Sequence, residues 1–134
     1  MKVGLFFRSN DYGRLTARVR MPKLDEAMLA GSGDIEVEGF DGGKTSLVIA
    51  GSGYIEADGK LDYLRLTING SGRADVPDLE VEDADVTING SGNVLVRVSG
   101  NLEATINGSG DIEYIGEPEH VRSSVRGSGH IREH

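Results

Sequence analysis

The sequence predicts an all-β protein, a parallel β-helix (solenoid) of about seven coils with GSG corners. Three observations carry that reading. GSG triplets begin at Gly31, Gly51, Gly70, Gly90, Gly108 and Gly127, at intervals of 20, 19, 20, 18 and 19 residues, so the repeat is 18–20 residues long. Apolar residues alternate with period two on both sides of every triplet. No long segment with the apolar spacing of a helix stands out anywhere in the 134 residues.

Residues 1–28 read as a degenerate first coil. There "DYG" at 11–13 takes the corner, with Leu15 and Ala17 at the inward places after it and Phe7 four residues before. Residues 29–134 hold the six GSG repeats, and the whole of 1–134 reads as a single β-helical domain. Two residues before the triplets come Leu29, Ile49, Ile68, Ile88, Ile106 and Val125; two after come Ile35, Ile55, Ala74, Val94, Ile112 and Ile131. Each repeat therefore holds two half-buried strand segments. Counting in twos from Ile68 through Gly70 and Gly72 reaches Ala74 and Val76 without slipping. Both glycines are thus expected at inward positions, where the missing Cβ lets the chain bend without crowding the interior, with the serine pointing out. The third side is the least regular ("GFDGGKTS", "GKLDYL", "PDLEVEDA", "SGNL", "GEPEHV"); its variable lengths suggest loops, with Gly39, Gly59 and Gly116 as a second corner. Stacked ~4.8 Å apart, seven coils would make a rod on the order of 30 Å long.

An antiparallel meander is the competing fold, because Asn-Gly is a strong hairpin signal. That turn needs positive φ at both central residues, and three of the six corners place Ala30, Ala50 or Arg126 before the first glycine. Stacked coils also explain six equivalent corners, since each repeat buries its neighbour's apolar edge. The left-handed hexapeptide helix is excluded by the alternation itself.

Composition narrows function by exclusion. Net charge is −8, and residues 1–30 carry six Lys/Arg against three Asp/Glu, so the remaining body holds eight against nineteen. An acidic body repels phosphate backbones, which argues against nucleic acid as a partner. There is no cysteine, so neither a disulfide nor a thiolate metal site is available. The opening "MKVGLFF" is too short for a signal h-region and no apolar run approaches a membrane span, so neither a leader nor direct membrane insertion is expected from this stretch.

The combination of "MPKLDEAMLAGSGDIEV", three copies of "INGSG" and the ending "INGSGDIEYIGEP…VRGSGHI" resembles the bacterial head GIN domain, a putative auto-transporter adhesin family. The resemblance runs roughly from Arg18 to Ile131. It implies a β-helical, extracytoplasmic protein of the periplasm or cell surface, and it supplies no catalytic residues.

Several motifs tempt and fail. "GGKTS" at 42–46 is not a phosphate-binding loop, because Glu38 takes the place of the first glycine and a strand pattern follows. The GSG triplets lack the third glycine and the helix of a dinucleotide fingerprint. Identical corner serines argue against a nucleophile, since catalysis needs one special serine beside a base. His120, His130 and His134 read as surface residues near the C-terminus, and the "NGS" sequons at 69, 89 and 107 are explained by turn chemistry.

Two outward columns remain. Glu36, Glu56 and Asp75 would stack, each pair disfavoured by roughly 0.2–1 kcal/mol. A calcium ion would relieve them, but splayed, solvated side chains do so more simply, and any calcium binding is expected to be weak, ~10⁻⁴–10⁻³ M. The other column is the repeated "TIN". Stacking puts Thr67, Thr87 and Thr105 in one rank and Asn69, Asn89 and Asn107 in another, as a ladder and as the candidate contact strip. The expected function is a non-enzymatic cell-envelope scaffold or adhesin-like binding module, with no metal or cofactor. Its partners are expected to be a second copy of the chain, an envelope protein or a glycan. A carbohydrate-binding or polysaccharide-active β-helix is the alternative; a binder of ice or crystal surfaces would need a longer threonine rank.

Overall fold

The computed structural model describes residues 4–8, 15–20 and 23–134, with the backbone alone at 5–8 and 15–17. The corner expected at 11–13 lies outside the described residues. Twelve strands follow one another among the described residues: β1 (Gly4–Arg8), β2 (Leu15–Arg20), β3 (Glu26–Gly31), β4 (Gly33–Asp41), β5 (Lys44–Gly51) and β6 (Tyr54–Gly70) come first. They continue with β7 (Arg73–Gly90), β8 (Asn93–Val98), β9 (Asn101–Gly108), β10 (Asp111–Ile115), β11 (His120–Arg126) and β12 (His130–Glu133).

Every strand pair is parallel, which excludes the meander. One rank runs β1, β3, β5, the C-terminal half of β6, the C-terminal half of β7, β9 and β11; the other runs β2, β4, the first halves of β6 and β7, then β8, β10 and β12. The chain winds through about six turns, close to the seven coils expected. The core is the stack of inward columns. Leu47, Leu66 and Val86 form one and Ile49, Ile68, Ile88 and Ile106 another, all 0% exposed. Val125 continues the isoleucine column but is 40% exposed, because its rung has a neighbour on one side only.

The corners differ from expectation in one respect. The second glycines (Gly53, Gly72, Gly92) are buried, but the first ones (Gly51, Gly70, Gly90) are only half-buried, and the backbone there turns left-handed. At Gly70 and Gly90 φ is +128° and +134°, a region open to glycine alone. The turn aims each corner at the one beside it: the Ser71 and Ser91 amides donate to the carbonyls of Gly51 and Gly70, both at 3.1 Å. Corners thus pair with corners, and the strand ladders continue around the bend.

Two further expectations are corrected. The third side is loop only in part: β6 and β7 run through it unbroken for 17 and 18 residues, absorbing the variable lengths as register shifts between Glu56 and Gly59 and between Val76 and Glu80, whereas short turns interrupt it at Gly42–Gly43, Ser99–Gly100 and 116–119. The first shift is one residue and the second three, and both are easier to hold in a continued ladder than in a loop with unpaired amides. Gly39, Gly59 and Gly116 do bend there, with φ of +80°, +115° and +98°. In the first coil, Phe7 pairs with Leu29 and Leu15 with Gly33, two residues from the places expected, and Ala17 falls beside Ile35. A shift of two preserves which face each residue takes, so alternation alone does not detect it.

Candidate binding face

The outer surface of the first rank is a grid, because parallel in-register strands put outward residues in straight columns. Thr67, Thr87 and Thr105 align directly, as do Asn69, Asn89 and Asn107. The threonines are half-buried and the asparagines exposed. Along the asparagine column the Asn89 amide donates to the Asn69 carbonyl oxygen at 2.9 Å, and the Asn107 amide donates to that of Asn89 at 2.9 Å. These asparagines end strands rather than sit in turns, and none has positive φ. The strip is therefore a hydrogen-bonded, uncharged plane. Val48 and Ala50 continue its columns on one side and Ser124 and Arg126 on the other.

The same face carries two more columns that the sequence reading missed. Lys44, Tyr63 and Asp83 align, followed by Asn101, whose backbone and side-chain amides both donate to an Asp83 carboxylate oxygen at 2.9 and 3.1 Å. Ser46, Arg65, Asp85, Glu103 and Arg122 form the neighbouring column. These side chains edge two grooves of about 600 and 570 Å³, and Tyr63 lines both. Burial, followed by the Asp85 carboxylate, holds the Tyr63 phenol above its usual pKa, so at neutral pH it is a protonated hydroxyl. Tyr63 lies in "GKLDYL", whose irregular length hid its register. Parity counted back from Leu64 and Leu66 would have placed it outward.

On the second rank, Glu36, Glu56 and Asp75 do align. Their repulsion is relieved within the chain. Arg18 reaches Glu38 at 2.7 Å and Glu36 at 3.4 Å, and the Tyr54 hydroxyl donates to Glu56 at 2.7 Å and lies 3.2 Å from Asp75. Tyr54 is pushed far above the ordinary phenol range by burial, then by its bond to Glu56 and the charge of Asp75. No group of three or more His, Asp or Glu side chains among the described residues is arranged to hold a metal ion. Of the histidines, His134 bonds Glu113 at 2.8 Å, His130 lies 3.5 Å from Asp111, and His120 edges the larger groove. The corner serines Ser52, Ser71, Ser91 and Ser109 are exposed in equivalent settings.

A rod of parallel coils with a packed aliphatic interior and gridded polar outer faces defines the molecule as a parallel β-solenoid. The chain belongs to the family described as putative auto-transporter adhesin, head GIN domain, whose model matches residues 5–118. Among solved structures it is similar to a putative adhesin from Bacteroides fragilis NCTC 9343, at 12% identity and a TM-score of 0.75 over 100% of this chain and 93% of that one. It is also similar to a putative lipid binding protein from Parabacteroides distasonis ATCC 8503, at 28% identity and a TM-score of 0.69, covering 98% of this chain. The chain spans 61% of that second protein's length. No curated protein matches the sequence significantly.

Proposed function

We propose that the protein is a non-enzymatic binding module of the cell envelope, acting outside the cytoplasm, with the Thr67–Asn107 strip as its main contact surface. The observation that supports this best is the strip's physical character. It is uncharged in a chain of net charge −8, and its six residues are locked in register by the ladder between Asn69, Asn89 and Asn107. A rigid plane of this kind loses little conformational entropy on docking. Membership of an adhesin family and the likeness to the Bacteroides adhesin favour the same reading. The name of the Parabacteroides neighbour raises lipid as a ligand. Here the inward columns, the terminal rung aside, are filled by buried, mostly aliphatic side chains at 0–6% exposure, which favours the outer faces over the interior as the place for any ligand.

Substitution of Thr87 by lysine tests the strip, since at this half-exposed site it should change stability by only about 0.5 kcal/mol. Oligomer mass by light scattering and retention on cell-wall material are expected to fall relative to the parent. If both stay unchanged while the fold is intact, the strip is a structural ladder and nothing more. The non-enzymatic part is tested with ester and acidic-polysaccharide substrates, where no turnover is expected. A turnover abolished by Ser91→Ala alone would overturn it.

A further inference from the structure

The two grooves that meet at Tyr63 are not accounted for by the strip. They run along the rod, one beside Glu26, Lys44 and Arg65, the other beside Asp83, Asn101 and Glu103. From Lys44 to His120 the column crosses five rungs, which at ~4.8 Å a rung is on the order of 20 Å. Tyr63 is the aromatic residue at the junction, half-buried and fixed in register between Lys44 and Asp83. Tyr54, on the other rank, spends its hydroxyl on Glu56 and Asp75.

The polar groups around this ring are of both kinds. Asp83, Asp85 and Glu103 offer acceptors, and Asn101, Arg65 and Arg122 offer donors. Their charges partly compensate, as in the 4.0 Å pair of Arg65 with Asp85. Asp83, Asp85 and Glu103 face Lys44, Arg65 and Arg122 along the grooves, within a chain of net charge −8.

We infer that this groove is a binding site for a neutral, hydroxyl-rich oligosaccharide lying along the rod axis, with a sugar face stacked on Tyr63. Three features select that class. An elongated open channel takes a linear ligand, whereas a compact metabolite would be held on one side only. An aromatic face with its negative quadrupole suits the C–H edge of a pyranose. Donors set beside acceptors match hydroxyl groups, which need both, while the net negative charge of the chain repels uronates, sulfated sugars and phosphate chains. The inference rests on the reading of this outer face as the binding face, and it names the ligand class.

The experiment uses the full chain against an array of neutral hexose, N-acetylated and uronate oligosaccharides, with affinities for the hits measured by calorimetry. Neutral or N-acetylated oligomers are expected to bind and uronates to bind at least tenfold more weakly. Tyr63→Ala should weaken binding at least tenfold and Tyr63→Phe by only a few fold, the ring being kept. Glu103→Gln, at an exposed position, serves as a second variant should Tyr63→Ala unfold, and should weaken binding severalfold. The site is overturned if the parent binds no neutral oligosaccharide at millimolar concentration, if uronates bind best, or if folded Tyr63→Ala binds as the parent does. Loss of glycan binding in Thr87→Lys with Tyr63→Ala unaffected would overturn the groove and leave the strip standing. Loss in Tyr63→Ala with Thr87→Lys unaffected on all cell-wall material would do the reverse.

Discussion

Replacing Gly90 by alanine should be among the most damaging single-methyl changes in this protein. The backbone there has φ +134°, where an L side chain is strained by roughly 1–3 kcal/mol. An added Cβ would also lie 2.4 Å from the Gly70 carbonyl oxygen and 3.1 Å from its carbon, both backbone atoms of the neighbouring corner. Those atoms yield only if two rungs separate, and overpacking of this kind costs about 1–3 kcal/mol more. The Ser91 amide bond to that same carbonyl would be disturbed as well. The expected loss is therefore about 2–6 kcal/mol, a large part of the stability of a domain this size. Urea unfolding followed by circular dichroism reads it as a fall in midpoint with the slope unchanged. Ser91→Ala, one residue away and exposed, is the control and should stay within about 0.5 kcal/mol of the parent. If Gly90→Ala unfolds within 0.5 kcal/mol of the parent on that same scale, the corners do not depend on close backbone approach and the reasoning fails.

Other expectations follow from the same geometry. Ile88→Asp would place a charge in a column that is 0% exposed, costing several kcal/mol, while Thr87→Asp should remain folded; equal melting of the two would contradict the inward–outward assignment. Asn89 makes two ladder bonds and Asn69 one, so Asn89→Ala should cost roughly 1 kcal/mol and Asn69→Ala about half that, by urea midpoint. His134 first, then Arg132, hold the Glu113 carboxyl below its usual value of 4.5. Because the folded pKa is depressed, its contribution is complete above that value and is lost as pH falls through the folded one. Glu113→Gln should therefore flatten the acid limb of melting temperature against pH, and an unchanged limb would remove Glu113 from the account.

The sequence by itself determined the repeat, the inward columns and the alignment of the "TIN" residues. Five near-equal intervals fix how coils superimpose, and alternation fixes which side chains face in, so Ile68, Ile88 and Ile106 could be placed before any fold was known. It determined as well that corners need glycine, though not that the first glycine turns left-handed while the second is the buried one. What only the tertiary structure decided depends on register and on reach across coils. Alternation repeats every two residues, so it leaves a two-residue slip in the first coil undetected, and Phe7 came to rest beside Leu29. Variable lengths on the third side obscured where Tyr63 falls, and with it the groove shared by residues from strands about twenty positions apart. The Tyr54 bridge between Glu56 and Asp75 likewise belongs to two successive coils. A chain pattern records the period and the face of each residue. Which atoms meet across rungs is set by side-chain length and rotamer, and those act only once the coils are stacked.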